Sequence, residues 1–141
     1  MARVLFVCVE NSNRSQMAEA FARMHGAGVL EPASAGSRPS GGVNPRAIAA
    51  MRERGYDLAA HASKSLDDVG PDPFDFVVTL GCGDACPWVA ARAREDWPIP
   101  DPRDLPPAEF AAVRDEIEAR VKDLVARARA AAGSHSRAGG R

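Results

Sequence analysis

An α/β fold built on a parallel sheet is the architecture this sequence predicts, and three features predict it. Val4 to Val9 is a short, nearly unbroken apolar run, as expected of a central strand buried on both faces. After a polar break, Met17, Ala18, Phe21, Ala22 and Met24 recur at helical spacing between Arg14 and His25. The same succession of apolar run and helical pattern then returns along the chain. Strands alternating with helices pair in parallel through right-handed crossovers.

Each further element has its own warrant. Gly26 and Gly28 end the first helix. Val29 to Ala35 reads as a weaker second strand, closed by Gly36. A second helix is expected from Pro45 through Ile48, Met51 and Arg52 to Gly55, with Asn44 as its N-cap and Pro45 at N1. Ser65 to Val69 adds a short helical turn, and Phe74 to Leu80 is another buried strand. Glu95 to Ile99 reads as a last short strand before a Pro-rich link from Pro98 to Pro107. Glu109 to Ala132 then forms a long amphipathic helix with Phe110, Val113, Ile117, Val121, Leu124 and Val125 on one stripe. Residues 1–132 are expected to form the single domain, and residues 133–141, with no apolar side chain larger than alanine, a disordered tail.

Bulk properties narrow the function. The chain has 141 residues, 45% of them hydrophobic and 26% charged, as in a globular domain with a real core. Its formal net charge of -1 gives no electrostatic pull toward nucleic acid or an anionic membrane, so any bound anion must be held by local geometry. No apolar run approaches the roughly 18 residues a spanning helix needs. The start, Met1 to Val7, is too short for a signal h-region and suits a first core strand. A cytoplasmic monomer is expected. The three cysteines, Cys8, Cys82 and Cys86, are too few and odd in number for a secreted disulfide framework.

In α/β sheets ligands bind beyond the carboxyl ends of the strands, and Cys8 lies at such an end. The segment Val9, Glu10, Asn11, Ser12, Asn13, Arg14 and Ser15 runs from the buried strand into a helix. Successive N–H groups in such a loop can curl around an oxyanion, helped by the positive end of the helix dipole. Arg14, six residues after Cys8, returns to the same centre and can offer parallel N–H bonds to a tetrahedral anion. The same field favours the thiolate form of Cys8, making it a nucleophile. Ser15 can donate its hydroxyl to the sulfur, and Asn11, tolerant of left-handed backbone, can brace the loop. The competing reading is an inert core thiol. A nucleotide-binding glycine loop fits poorly, because this loop contains neither glycine nor lysine.

Cys82 and Cys86 stand just past the Phe74–Leu80 strand, expected at the same sheet edge as Cys8. A tetrahedral zinc site is a poor reading with only three cysteines and with His25, His61 and His135 far along the chain. Gly81, Gly83, Asp84 and Pro87 also argue against a packing role. Redox chemistry fits best. Side chains four apart on a helix lie about 5–6 Å apart at Cβ, whereas a disulfide needs roughly 3.8 Å. The pair can bond only if the segment unwinds, which glycine on both sides of Cys82 permits.

The run from Val4 through Cys8 and Arg14 to Phe21 resembles the low-molecular-weight tyrosine phosphatase superfamily. Within it, Arg14-Ser-Gln-Met-Ala-Glu-Ala20 and Val77-Val-Thr-Leu-Gly-Cys-Gly-Asp-Ala-Cys-Pro87 are similar to three-cysteine arsenate reductases. The resemblance spans Arg3 to about Ala130. It implies a four-stranded parallel sheet flanked by helices, attack by Cys8 on the oxyanion, and Arg14 holding it. It further implies that Cys82 attacks Cys8 and Cys86 then attacks Cys82. Thioredoxin would reduce the resulting disulfide. A low-molecular-weight thiol with a glutaredoxin-like partner is the alternative donor.

Two further residues rest on the same resemblance. Asp101, in Pro100-Asp-Pro102, matches the superfamily's general acid, which protonates the leaving oxygen. Arg103 follows where phosphotyrosine enzymes of this fold carry a tyrosine, and the sole tyrosine, Tyr56, is far away. Some relatives bind potassium through an asparagine, a glutamate, a serine and an aspartate. Asn11, Glu19 and Ser34 match the first three, but Lys64 stands at the fourth. An ammonium there can replace the cation against Glu19, so no structural potassium, and no other metal or cofactor, is expected. Ordinary surface exposure of Lys64 is the competing reading.

The expected activity is reduction of arsenate to arsenite, with phosphate or sulfate as competing anions. The rivals are a phosphatase acting on phosphotyrosine or small phosphomonoesters, needing only Cys8, Arg14 and Asp101, and a non-enzymatic oxyanion or arsenite sensor.

Overall fold

The computed structural model describes residues 1–70, 72–81 and 89–139. In chain order the elements are β1 (Ala2–Cys8), α1 (Arg14–His25), β2 (Leu30–Gly36), α2 (Pro45–Arg52), β3 (Phe74–Leu80), β4 (Ala91–Trp97) and α3 (Pro107–Gly139). Two 3-10 turns, Leu58–Ala60 and Leu66–Asp68, lie between α2 and β3. The four strands form one parallel sheet in the order β2-β1-β3-β4. The predicted class is therefore the observed one.

β1 is central because its side chains are apolar on both faces. Val4 and Phe6 enter the larger core, shared with Met17 and Phe21 of α1, Met51 of α2, and Ile117, Val121 and Leu124 of α3. Leu5 and Val7 enter a smaller core with Ala35, Phe74 and Val77, against which Leu66 and Val69 pack. Both sets alternate along one strand, as the period of two requires. All parallel strands point the same way, so the ends of β1 and β3 open onto a common edge. β1 ends there at Cys8 and β3 at Leu80, just before Gly81.

The element boundaries differ from the sequence reading where neighbours decide them. β4 begins at Ala91 rather than Glu95, because Phe74 pairs with Ala91 and the ladder continues to Trp97. Its polar run Arg92-Ala-Arg-Glu-Asp96 hid it: an edge strand pairs on one side only and need not be apolar. α2 stops at Arg52, and the chain turns through Gly55 at φ 81°. Asn44 does cap α2, its side chain accepting from Arg46 N at 2.8 Å. Ser65 caps the second 3-10 turn in a capping box with Asp68. α3 starts at Pro107, and its helical backbone continues past Ala132 to Gly139, into the segment whose composition reads as a tail. Extending an existing helix adds one hydrogen bond per residue fixed, and the alanines at 128 and 130–132 favour it.

Candidate active site

Cys8 ends β1 with its side chain buried, and it is a free thiol. The loop after it is pinned from outside. The carbonyl oxygens of Val9, Glu10 and Ser12 accept from the backbone N–H groups of Arg38, Ser40 and Asn44 at 2.8–3.0 Å. A peptide plane holds its C=O and N–H on opposite sides. Carbonyls turned outward therefore turn the intervening N–H groups inward. Gly36 makes the close approach possible: a Cβ there would lie 2.5 Å from the Val9 oxygen and 2.9 Å from the Asn11 nitrogen.

Asn11 is the hinge of the loop. Among the described residues it is the one non-glycine residue with positive φ (51°), and it is fully buried. Its side chain replaces the backbone bonds that a left-handed residue forgoes. Oδ1 accepts from Lys64 N at 2.7 Å and from Gln16 Nε2 at 2.9 Å, while Nδ2 donates to Ser15 Oγ at 2.8 Å. Ser15 Oγ in turn lies 2.7 Å from Cys8 Sγ. Because Asn11 already donates to that oxygen, the Ser15 hydroxyl hydrogen is available to the sulfur, and a thiolate is the partner it would stabilise.

The chain of polar contacts continues away from the sulfur. Gln16 Oε1 accepts from His61 Nδ1 at 2.9 Å, and His61 Nε2 faces the Tyr56 hydroxyl at 2.5 Å. A neutral imidazole with its proton on Nδ1 satisfies both contacts, Tyr56 being the donor at the other nitrogen. Burial holds His61 below the usual imidazole range, with the Glu19 carboxylate pulling the other way. One donor of each group from Tyr56 through His61, Gln16 and Asn11 to Ser15 then points along the chain toward Cys8, while Gln16 Nε2 also donates to the Ala62 carbonyl oxygen at 2.9 Å.

Arg14, the first residue of α1, is also buried, and its Nη1 donates to the Ile99 carbonyl oxygen at 2.9 Å. This fixes the guanidinium beside the loop. Cys8, Val9, Glu10, Ser12, Asn13, Arg14, Asp101 and Arg103 line one cleft of about 270 Å³. A thiol sulfur, a fixed guanidinium and a carboxyl group thus face a space the size of a small tetrahedral anion and its surroundings. The structure brings Cys8, Arg14 and Asp101 to one cleft.

The model of the family described as low molecular weight phosphotyrosine protein phosphatase matches residues 3–133. The chain belongs to this family. A glutaredoxin arsenate reductase of Synechocystis sp. is 41% identical over 130 residues, covering 90% of this chain and 98% of that protein. A solved arsenate reductase in its phosphate-binding state is 41% identical with a TM-score of 0.82, over 90% of this chain and 98% of its own. A thioredoxin-dependent arsenate reductase of Corynebacterium glutamicum is 30% identical with a TM-score of 0.76, over 93% of this chain and 63% of its own.

Within this phosphatase family the remaining expectations divide. Cys82 and Cys86 lie outside the described residues. Lys64 does reach Glu19: its Nζ lies 3.6 Å from Oε1, the oxygen that also accepts from Ser34 Oγ at 2.6 Å. Asn11 Oδ1 is meanwhile engaged by Lys64 N and Gln16. The Lys64 ammonium thus stands against the Glu19 carboxylate beside Ser34. Among the described residues no group of three or more His, Cys, Asp or Glu could hold a metal, and no helix is long and apolar enough to cross a membrane. The sequence gives Gln16, His61, Gly36, Gly81 and the Ile99 carbonyl no part in the site. A polar Gln16 and Glu19 on an otherwise apolar helix face was the one signal available for any of them.

Proposed function

We propose that this chain reduces arsenate to arsenite, with Cys8 as nucleophile and Cys82 and Cys86 as the source of electrons. The observation that carries the proposal is the cleft itself. Cys8, with Ser15 against its sulfur, shares it with Arg14 and Asp101, on a fold matched over nearly its whole length by arsenate reductases.

In this reading the inward amides of residues 9–15 and Arg14 hold the arsenate dianion by charge-assisted hydrogen bonds. The Cys8 thiolate attacks arsenic, one As–O bond breaks, and the proton of Asp101 turns the leaving hydroxide into water. The product is a Cys8 thiol–arsenate adduct in which arsenic is still pentavalent. Attack by the Cys82 thiolate on the Cys8 sulfur breaks the S–As bond and leaves its electron pair on arsenic. Trivalent arsenite departs and takes up protons. Cys86 then attacks Cys82, frees Cys8 as a thiol, and leaves a Cys82–Cys86 disulfide for the donor to reduce. Two thiolates supply the two electrons. Phosphate and sulfate bind the same loop as competing anions, and neither is reduced. The enzyme works as a cytoplasmic monomer with no metal or cofactor.

Thioredoxin is the proposed donor, because the Cys82–Cys86 pair supplies a protein disulfide for it to attack. The glutaredoxin named in the Synechocystis relative is the competing partner. The deciding assay is steady-state arsenate reduction with each donor system in turn, in the wild type, Cys82→Ser and Cys86→Ser. Loss of turnover in both variants is expected with thioredoxin; full activity in both would sink the relay.

The family description itself favours a second reading, hydrolysis of phosphotyrosine or small phosphomonoesters by Cys8, Arg14 and Asp101 with water. It predicts phosphatase turnover that survives both cysteine substitutions and no arsenate-dependent oxidation of the donor.

A further inference from the structure

Glu10 and Arg103 occupy opposite walls of the cleft, one in the loop after Cys8 and the other in the segment that carries Asp101. Their carboxylate and guanidinium meet as an ion pair at the rim, and both side chains are partly exposed. Each mount is fixed by its own backbone. The Glu10 carbonyl oxygen accepts from Ser40 N and from Ser63 Oγ, both at 3.0 Å. On the other wall, Arg46 of α2 donates to the Arg103 carbonyl oxygen at 2.7 Å and to that of Leu105 at 2.5 Å. Between these anchors the Arg103 N–H donates to Asp101 Oδ1 at 3.0 Å.

Residues 98–106 have no regular secondary structure, so no ladder or helix fixes where the Asp101 carboxyl stands. Arg103 joins that carboxyl, through its own N–H, to a guanidinium gripping the nucleophile's loop. An exposed ion pair adds little to stability as such. Across two walls of a reaction cleft its value is geometric, because proton transfer requires hydrogen-bond reach between the acid and the leaving oxygen.

We propose that the Glu10–Arg103 pair is a latch that positions Asp101 over the Cys8 loop for protonation of the leaving oxygen. It rests on the reading of Asp101 as the acid. The step served is the first one: the S–As bond forms, an As–O bond breaks, and the Asp101 proton leaves with that oxygen as water. Glu10 and Arg103 are positioning residues, and neither exchanges a proton.

A purely electrostatic role would look different. Glu10→Gln makes the rim more positive and Arg103→Ala makes it more negative, so an anion-steering pair predicts opposite effects from the two changes. A latch predicts the same loss from both. The test measures the single-turnover rate at saturating arsenate, with phosphate inhibition as the separate measure of anion affinity. Both single variants should react about tenfold more slowly, a fraction of what general acids contribute. Glu10→Gln should do so while binding phosphate as tightly as the wild type or more so. In an Asp101→Asn background neither change should cost anything further, whereas a role unconnected with Asp101 would cost the same in both backgrounds. A Glu10→Gln protein with wild-type rate, or an Arg103→Ala change as costly in Asp101→Asn as in the wild type, overturns the latch. If the wild type reduces no arsenate, the same proteins are assayed with phenyl phosphate, whose leaving group also needs a proton. The same pattern there keeps the latch while the reductase reading fails; no turnover with either substrate overturns both.

Discussion

Arg14 Nη1 meets the Ile99 carbonyl oxygen at 2.9 Å in a space that only a glycine at position 81 leaves open. A Cβ on Gly81 would lie 2.4 Å from that oxygen and 2.5 Å from that nitrogen, and the residue's φ of 72° disfavours a side chain in any case. The position of the Arg14 guanidinium is therefore set by the end of β3 as much as by α1.

Gly81→Ala should displace the Arg14 guanidinium and weaken binding of phosphate and arsenate together. The strain of a left-handed alanine adds about 1 kcal/mol or more of lost stability. Isothermal titration with phosphate and a thermal melt measure the two effects. Undiminished phosphate affinity would show that the Arg14–Ile99 contact does not matter for the anion.

Ser15→Ala removes the hydroxyl 2.7 Å from Cys8 Sγ and leaves Asn11 Nδ2 without its acceptor. Slower alkylation of Cys8 by iodoacetamide at neutral pH is expected, followed by peptide mass spectrometry so that the other cysteines are counted apart. Turnover should fall roughly 10–100-fold, the range for losing one charge-assisted hydrogen bond of about 1.5–3 kcal/mol.

His61 links pH to stability. Its pKa is lowered from 6.5 by burial, with Glu19 and Asp57 pulling upward and Arg23 and Lys64 downward. The unfolded chain therefore takes up the proton at a higher pH than the folded one does. Stability from neutral His61 is fully present above about pH 6.5 and is lost as pH falls from there through the folded value. Melting temperature should drop between pH 7 and pH 5 in the wild type. The drop should be shallower in His61→Gln, which has no proton to gain at this position; equal slopes would remove His61 from the account.

Lys64 places its ammonium 3.6 Å from Glu19 Oε1, where Arg23 also pairs with Oε2 at 2.9 Å. Melting temperature and turnover should be the same in sodium and potassium chloride at equal ionic strength. Lys64→Ala should cost about 1 kcal/mol or less, since the side chain is part-exposed. Lys64→Asp should make the melt respond to potassium. A wild type stabilised by potassium over sodium would contradict the ammonium's role.

The fold was legible because its central strands are extreme cases. Val4–Val7 is apolar on both faces and Phe74–Leu80 is apolar but for Asp75 and Thr79 on one face, which in a chain of this length points to a parallel sheet, and Asn44-Pro45 announces a helix start. β4 was only half legible: at the sheet's edge, with one side open to water, its Arg-Ala-Arg-Glu-Asp run carries no apolar period. The candidate site shows the same division. Cys8, Arg14, Ser15 and Asn11 follow one another along seven or eight residues, so local geometry alone brings them together. Glu10–Arg103, Gln16–His61 and Arg14–Ile99 join residues separated by 93, 45 and 85 positions. Nothing in a linear pattern encodes them.

By itself, then, the sequence determined the α/β class and the loop after β1 with its cysteine and arginine, because backbone periodicity and a strand-to-helix turn are local properties. Only the tertiary structure decided how that loop is held. Parallel pairing put Gly36 and Gly81 against it, the packing of residues 61–64 supplied Asn11 and Glu19 with partners, and the link between β4 and α3 brought Asp101 and Arg103 to its rim. Those contacts depend on where distant segments meet once the apolar faces are buried, which is a property of the packed molecule.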